Sequence, residues 1–214
     1  MTEPLLDFDP RYEILDKIHE GGMGAIYRAR HRLLGVVRVV KVLRPELAAS
    51  DELRERFVRE ARAAIELEHP NIARLYDFSV DASGRSYMIM EHIRGVNLRE
   101  LLRYGGGPPP LSLTLDIARQ GLTALGYLHR RHYVHRDISP ENLMLAADPD
   151  GRPLVKLIDL GIVKQLESDA GLTSTGIFLG KVHYASPEQF GQAAPLDARS
   201  DLYSFGVLLY ELLT

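Results

Sequence analysis

The chain has 214 residues, 45% of them apolar and 26% charged, which is the composition of an ordinary globular protein rather than of a disordered one. Its formal net charge of -3 argues against a nucleic-acid partner, because binding to a phosphate backbone normally requires a basic face. The chain has no cysteine, no apolar run of membrane-spanning length and an acidic start unlike a signal peptide, so we expect a cytoplasmic protein without membrane contact.

The first half of the sequence alternates short β-rich runs with turn residues, which is typical of a small antiparallel sheet. The predicted strands are Tyr12 to Ile18, Ala25 to His31, Val36 to Leu43, Ile72 to Ser79 and Tyr87 to His92. Between the third and fourth strands, Ser50 is placed to cap a helix with charged and apolar faces. The first half therefore predicts a sheet with one helix.

The second half is mainly helical from Leu98 onward. One buried stripe is predicted on its long helix, formed by Leu113, Ile117, Leu122, Leu125 and Leu128. The run GGGPPP at 105–110 predicts a surface loop before that helix; a proline-rich ligand for another domain is the alternative. A hairpin is predicted from residues 143–146 and 154–158 around the turn DPDG, and a last helix from Ser200.

The fold class expected from this order is α+β, with a β-rich lobe followed by an α-rich lobe. The change of pattern falls between Glu91 and Gly95. We therefore divide the chain into an N-terminal extension at 1–11, a first lobe at 12–91 and a second lobe at 92–214. A cleft between two such lobes is a favoured place for a ligand.

Several short motifs have a structural and a chemical interpretation. HEGGMGAIY at 19–27 is either a tight hairpin turn or a flap whose backbone N–H groups approach phosphates. Lys41 in VVRVVKVL is either an edge-strand lysine or a phosphate ligand. Asp159 in LIDLG is either a turn residue or a metal ligand. No single motif decides between these alternatives.

The order of the motifs carries more information. A glycine-rich turn, a strand lysine, a helix glutamate, HRDISPEN at 135–142, an Asp-x-Gly after an apolar strand and SPE before a final helix follow one another. This series resembles the signature of the eukaryotic-like (Hanks-type) serine/threonine protein kinases of bacteria, over nearly all of 12–214. The resemblance implies a bilobal fold whose second lobe is incomplete at Thr214.

The resemblance also implies roles for the charged residues. Lys41 would bind the α- and β-phosphates of ATP and pair with Glu60. Asp137 would accept the proton of the substrate hydroxyl. Asn142 and Asp159 would hold magnesium, for which hard oxygen ligands are suited.

The remaining implied residues surround these groups. The ATP-binding residues would be Gly21, Gly22, Gly24, Ile26, Val39, Lys41, Met90, Glu91, Ile93, Asn97 and Met144. The structural residues would be His135, beneath the Asp-x-Gly turn, Asp201, which anchors the catalytic loop, and Glu188 of SPE. Arg136 would order the activation segment after phosphorylation, for which we predict Thr173 or Thr175; simple solvated hydroxyls are the alternative.

The sequence departs from the family pattern in four places. His19 replaces the first flap glycine, Val39 a smaller alanine, and Leu160 a phenylalanine. The fourth departure is reciprocal: Ser139 stands where the family has a lysine, and Lys181 stands where it has a threonine. We interpret this as an exchange in which Lys181 supplies the cation and Ser139 the hydroxyl. Loss of activity is the alternative.

The segment FGVLLYELLT at 205–214 is apolar on almost every face and is expected to be buried. The family covers this helix with later helices, one of which supplies an arginine to Glu188, and no replacement for that arginine is evident. Either the chain is a fragment or a partner covers the helix. An uncovered helix predicts self-association.

The leading hypothesis is an enzyme that transfers the γ-phosphoryl group of ATP, with magnesium, to serine or threonine hydroxyls of protein substrates. A pseudokinase or nucleotide-binding scaffold without turnover is the alternative, favoured by Ser139 and the irregular flap. A small-molecule phosphotransferase shares the Asp and Asn spacing but usually lacks SPE. Retention of Lys41, Glu60, Asp137, Asn142 and Asp159 favours the kinase.

Overall fold

The computed structural model describes residues 9–21, 24–43, 61–62, 64–81, 84–159, 182–190 and 196–214. These residues form two compact units. The first contains the described parts of 9–68 and 74–92, and the second contains 69–73, 93–159 and the described parts of 182–214.

The first unit is built on a five-stranded antiparallel sheet in the order β1-β2-β3-β5-β4. The strands are β1 (Tyr12–Gly21), β2 (Gly24–His31), β3 (Val37–Leu43), β4 (Leu75–Val80) and β5 (Ser86–Glu91). Alternating apolar residues form its core, because one face of each strand turns inward. Ala29, Val40, Val42, Tyr87 and Ile89 pack there, all 7% exposed or less.

All five predicted strands are present, but the fourth begins at Leu75 and not at Ile72. Ile72 lies in the second unit, where it forms an isolated parallel bridge with Leu157. The amide of Asn71 donates to Gln120 Oε1 at 2.7 Å and to the Val155 carbonyl at 2.8 Å. Ile72 is therefore buried within the second unit and does not extend the sheet of the first.

The second unit combines helices with a three-stranded sheet in the order β6-β7-β8. Its elements are β6 (Gly95–Asn97), α1 (Leu98–Tyr104), α2 (Leu111–His129), a 3-10 turn at Pro140–Asn142, β7 (Leu143–Ala147), β8 (Pro153–Leu157), 3-10 turns at Val182–Tyr184 and Pro187–Gln189, and α3 (Ala198–Leu213). The predicted hairpin and the loop at 105–110 are confirmed, whereas the short strand β6 has no counterpart in the prediction.

The buried face of α2 differs from the predicted stripe at one position. Ile117, Leu125 and Leu128 are 0%, 1% and 0% exposed, but Leu122 is 45% exposed. Leu122 is five positions after Ile117, which places it on another side of a helix with 3.6 residues per turn. Gly121 occupies the buried position instead, and a Cβ there would lie 2.5 Å from Phe205 Cζ of α3. The missing side chain allows the two helices to approach closely.

Helix α3 is capped by Asp197, whose carboxylate accepts a hydrogen bond from the Arg199 N–H at 2.9 Å. The helix therefore starts two residues before the predicted Ser200. In the described chain the helix is buried on one side only. Phe205, Leu208 and Leu212 are buried, but Tyr203 and Tyr210 are 48% and 69% exposed. None of the described helices is both long and apolar enough to cross a membrane.

Candidate active site

Asp137 lies in the irregular segment that joins α2 to the turn Pro140–Asn142, and it is 8% exposed. The side-chain amide of Asn142 donates both to the Asp137 backbone carbonyl at 2.7 Å and to its Oδ2 at 2.9 Å. The spacing of five residues, with a 3-10 turn between them, brings the two side chains together. Asn142 thereby fixes the direction of one carboxylate oxygen, and the structure joins two residues that the sequence singled out.

Asp201, in the first turn of α3, holds the backbone just before Asp137. Its Oδ2 accepts from the His135 N–H at 2.9 Å and its Oδ1 from the Arg136 N–H at 2.8 Å. His129 Nε2 also contacts Oδ2 at 2.8 Å. Asp201 is 1% exposed, and Arg136 has a φ of 64°, a left-handed conformation that is uncommon outside glycine. These charge-assisted bonds hold that conformation in place.

His135 is fully buried beneath the same segment. Its Nδ1 accepts from the Asp137 N–H at 3.3 Å, and its Nε2 lies 3.2 Å from the Ile158 carbonyl. The ring is therefore neutral, with its proton on Nε2 donated to Ile158. Burial lowers the pKa of His135, and the nearby carboxylates of Asp201, Asp137 and Asp159 only partly oppose that effect. A neutral imidazole here is a structural support for the loop.

The Ile158 N–H, just after β8, donates to the Asn142 carbonyl at 2.8 Å. The backbone of the next residue, Asp159, therefore lies close to that of Asn142. Asp159 has a φ of 58°, which turns the chain sharply after the strand. Magnesium in nucleotide sites takes one or two protein oxygen ligands together with phosphates. Among the described residues there is no cluster of three or more His, Asp or Glu. Asn142 and Asp159 offer one amide and one carboxylate oxygen, which are ligands of the kind this type of site uses.

Ser139 is fully buried two residues after Asp137. Its Oγ forms no hydrogen bond of ordinary geometry with any residue that the structure describes. Its predicted exchange partner, Lys181, lies outside the described residues, as do Gly22, Glu60, Thr173 and Thr175.

Gln189 is a contact that the sequence interpretation did not identify. Its Nε2 donates to the Arg136 carbonyl at 3.0 Å, and its Oε1 accepts from the Ser186 N–H at 2.9 Å. Ser186 and Gln189 form a capping box around the turn Pro187–Gln189, and the spacing Ser-x-x-Gln is its signature in sequence. Arg136 is thus fixed at both backbone groups, by Asp201 and by Gln189.

Glu188 has a partner within the chain, contrary to the sequence interpretation. The Ser200 hydroxyl donates to Glu188 Oε1 at 2.6 Å. This hydrogen bond lowers the pKa of the Glu188 carboxyl. Ser200 is 1% exposed and lies at the start of α3, so it connects Glu188 to the helix that also carries Asp201.

In the first unit, Lys41 is 5% exposed at the centre of β3. It stands opposite Ile26 of β2 on one side and Met88 of β5 on the other. Val39, two residues earlier, is opposite Met90. Lys41 is therefore an interior residue of the sheet, and the alternative of a snorkelling lysine on an edge strand is wrong.

Glycines close the hairpin between β1 and β2. Gly21 and Gly24 form the last pair of that ladder. Gly24 has a φ of 140°, a conformation that side chains rarely adopt, so the hairpin depends on glycine at this position.

Glu91 ends β5, and its N–H donates to the Arg74 carbonyl at 2.9 Å. In the second unit, Ile93 is half-buried and Met144 is opposite Asn97 in the ladder of β6 with β7. Asn97 caps α1, because its Oδ1 accepts from the Glu100 N–H at 2.8 Å. Because Oδ1 is used in this cap, Asn97 would contact the ribose through its side-chain amide nitrogen.

Comparison with known proteins agrees with this arrangement. The protein kinase domain family matches residues 12–214. A probable serine/threonine-protein kinase of Streptomyces coelicolor is 42% identical over 208 residues, and PrkC of Bacillus subtilis is 37% identical over 204 residues. Each alignment covers 95% of this chain but only 30% of the relative, so the chain spans about a third of the length of the relatives it matches.

Solved structures show the same fold. The kinase domain of Mycobacterium tuberculosis PknI superposes with a TM-score of 0.73 at 27% identity, covering 99% of this chain and 77% of that one. The predicted α+β bilobal fold and the predicted resemblance are therefore confirmed. The chain belongs to the protein kinase domain family and, within it, is similar to the Hanks-type serine/threonine kinases of bacteria.

Proposed function

We propose that this domain transfers the γ-phosphoryl group of ATP to serine or threonine hydroxyls of protein substrates in the cytoplasm. The observation that carries the proposal is the buried carboxylate of Asp137, held by Asn142 at one oxygen and supported from beneath by His135. A scaffold has no need for a buried carboxylate held in a fixed direction. Membership of the kinase family supplies the reaction class.

Phosphoryl transfer requires positioning and charge stabilisation more than covalent chemistry by the protein. Asp137 orients the substrate hydroxyl and takes its proton, and Asn142 keeps the carboxylate in the orientation needed for this. Asn142 and Asp159 would hold magnesium, which supplies the positive charge that neutralises the phosphates when bound. Lys41 would bind the α- and β-phosphates and Glu60 would pair with its ammonium group.

The residues proposed for the nucleotide base, sugar and phosphates are those that the family resemblance implies: Gly21, Gly22, Gly24, Ile26, Val39, Met90, Glu91, Ile93, Asn97 and Met144. Backbone groups at 91–93 would bond the adenine edge.

The proposal is tested by incubating the intact protein with radiolabelled ATP, magnesium and a serine/threonine peptide library. Asp137→Asn removes the proton acceptor while keeping the shape, so we expect label transfer to fall at least about a hundredfold. Asp150→Asn, in the exposed turn before β8, is the matched control and should retain activity. Binding of a fluorescent ATP analogue without label transfer by the wild type would instead support the scaffold alternative.

The exchange of Ser139 with Lys181 is part of the proposal. The Ser139 hydroxyl is fully buried two residues after Asp137, which suits a bridging role in an assembled site. Lys181→Ala should lower kcat severely, and Ser139→Lys combined with Lys181→Thr should recover much of it. A double-mutant cycle measures this coupling, and independent, additive losses would contradict the exchange.

Regulation by phosphorylation is proposed at Thr173 or Thr175, with Arg136 as the partner of the phosphate. The buried Nε of Arg136 has no hydrogen-bond partner among the described residues, so its N–H is available to donate to a phosphate group. Mass spectrometry after incubation with Mg-ATP checks the site. Absence of phosphate from residues 173–175 would refute this part.

A further inference from the structure

Arg99 lies in the first turn of α1 and joins three other segments of the second unit. Its Nε donates to Glu141 Oε1 at 2.9 Å, its Nη1 to Glu211 Oε1 at 2.6 Å, and its Nη2 to the Tyr184 hydroxyl. We call these four side chains the Arg99 cluster. Its members come from α1, the turn Pro140–Asn142, the turn Val182–Tyr184 and α3. One guanidinium group therefore connects positions up to 112 residues apart.

Tyr184 closes the cluster into a ring. Its hydroxyl accepts from Arg99 and donates to Glu211 Oε2, so both oxygens of Glu211 are bonded. Burial and the bond to Glu211 raise the pKa of Tyr184, which keeps its hydroxyl protonated as a donor. Tyr184 is 5% exposed. The ring fixes the turn at 182–184 against α3.

The cluster depends on the shape of arginine as well as on its charge. A guanidinium group presents several N–H donors in fixed directions, whereas a lysine ammonium is a point charge on a flexible stem. Two carboxylates face one cation here, and one of them, Glu141, is half-buried. Although burial acts to raise the pKa of Glu141, its bond to Arg99 holds that pKa below the ordinary value. Without Arg99 the two carboxylates would repel each other.

Glu141 connects the cluster to the candidate active site. It immediately precedes Asn142, whose N–H donates to the Ser139 carbonyl at 3.0 Å and whose side chain holds Asp137. A shift of Glu141 is therefore passed to Asn142 and to the carboxylate of Asp137 through covalent and hydrogen bonds. Misplacement of a reacting group by about 1 Å can reduce a rate by about a hundredfold.

We propose that Arg99 is a positioning residue for phosphoryl transfer: it fixes the turn that carries Asn142 and the turn at 182–184 to α3. This inference rests on the proposed function, and it assigns to Arg99 an effect on turnover without contact with ATP. The effect acts through Glu141 and Tyr184. Because Asn142 would also hold magnesium, nucleotide affinity should change as well, but less than turnover.

The first test measures kcat and the KM for Mg-ATP in the intact protein. For Arg99→Met we expect kcat to fall about tenfold, with KM changed by less than about twofold. Arg99→Lys should recover part of the loss, because it restores the charge but not three directed bonds. Arg103→Met, on the same helix and exposed, is the control and should behave as wild type. Unchanged kcat in Arg99→Met, or an equal loss in the control, would overturn the proposal.

The second test does not depend on turnover. Hydrogen exchange of the Asn142 and Ile158 backbone amides, which are bonded to Ser139 and Asn142, should become about tenfold faster in Arg99→Met relative to amides of α2. If the wild type transfers no phosphate, the proposed function fails, and this measurement still decides whether Arg99 holds the turn that carries Asn142. Unchanged protection at both amides would overturn it.

Discussion

The sheet of the first unit and the loop before Asn142 in the second unit place charged side chains by different physical means. Lys41 is placed by backbone ladders to β2 and β5, whose register follows from alternating apolar residues. Asp137 is placed by side-chain bonds from Asn142 and, through the neighbouring backbone, by Asp201, 66 positions from His135. Many backbone hydrogen bonds hold each strand of the sheet, whereas the conformation of the loop depends on a few polar side chains. Substitutions in the two regions should therefore differ in kind.

The largest effect is expected when the support of the loop is removed. Asp201→Ala leaves the His135 and Arg136 N–H groups without their acceptor in a buried place. Each buried unsatisfied donor costs about 1–3 kcal/mol, so we expect the free energy of unfolding to fall by about 3 kcal/mol or more. Chemical denaturation monitored by circular dichroism measures this change.

A second aspartate of the same helix provides the control. Asp197→Ala removes a partly exposed helix cap and should lower the free energy of unfolding by much less than Asp201→Ala does. Equal losses for the two variants would contradict the view that the loop depends on Asp201. In that case the loop would be held by its own backbone.

In the sheet, the corresponding experiment should affect function and not stability. Lys41→Met keeps the buried aliphatic stem and removes the ammonium group, so the ladders of β3 remain. We expect kcat/KM to fall about a hundredfold, because removal of one charge-stabilising group typically costs about this much. The melting temperature should stay within about 3 °C of wild type.

Arg30→Met in the neighbouring strand β2 is the control, since Arg30 is exposed. It should leave both turnover and melting temperature unchanged. If Lys41→Met lowered the melting temperature but left turnover unchanged, the expectation that substitutions in the sheet affect function and those in the loop affect stability would be wrong.

The same contrast explains what the sequence could predict. The strands follow from local alternation; most boundaries differ from the prediction by one to three residues, and the start predicted at Ile72 is wrong because Ile72 belongs to the second unit. The family resemblance also identified Asp137, Asn142 and Asp201, which the structure connects. Beyond the family motifs, local patterns carry no information about partners far apart in the chain.

Three residues illustrate this limit. Arg99 reaches Tyr184 and Glu211 across 85 and 112 residues, and no spacing rule connects such distant positions. Ser200 reaches Glu188 across 12 residues, where the family pattern had suggested an arginine from elsewhere. For Gln189 a local signal was present, the capping box with Ser186, but the bond to the Arg136 carbonyl depends on the folded loop.

A smaller effect is expected where helix packing, and not a polar bond, holds the second unit together. Gly121→Ala would place a Cβ 2.5 Å from Phe205 Cζ, and Phe205 is 2% exposed and unable to move freely. Overpacking of this kind costs about 2 kcal/mol. Gly126→Ala, on the same helix, meets only the flexible Arg130 side chain at 3.3 Å and should instead stabilise by about 0.5–1 kcal/mol. Thermal denaturation should show a lower melting temperature for Gly121→Ala and a higher one for Gly126→Ala than for wild type.

The smallest effect concerns pH and the imidazole beneath the loop. Burial lowers the pKa of His135 below its ordinary value, so between these two values the unfolded chain binds a proton that the folded chain does not. The free energy of unfolding should therefore fall as pH decreases below about 6.5, by at most about 1.4 kcal/mol per pH unit for this residue. The groups that face His135 and oppose this effect are the carboxylates of Asp201, Asp137 and Asp159.

Denaturation of wild type and His135→Gln at pH 7.5, 6.5 and 5.5 measures this slope. The variant should show a smaller decrease, but not a flat response, because burial also lowers the pKa of His69 and acts with the same sign. His132→Asn is the control: His132 is exposed, and asparagine tolerates its φ of 60°. An identical pH slope in His135→Gln and wild type would mean that the loop does not rest on a neutral imidazole. Its support would then come from Asp201, Gln189 and Asn142.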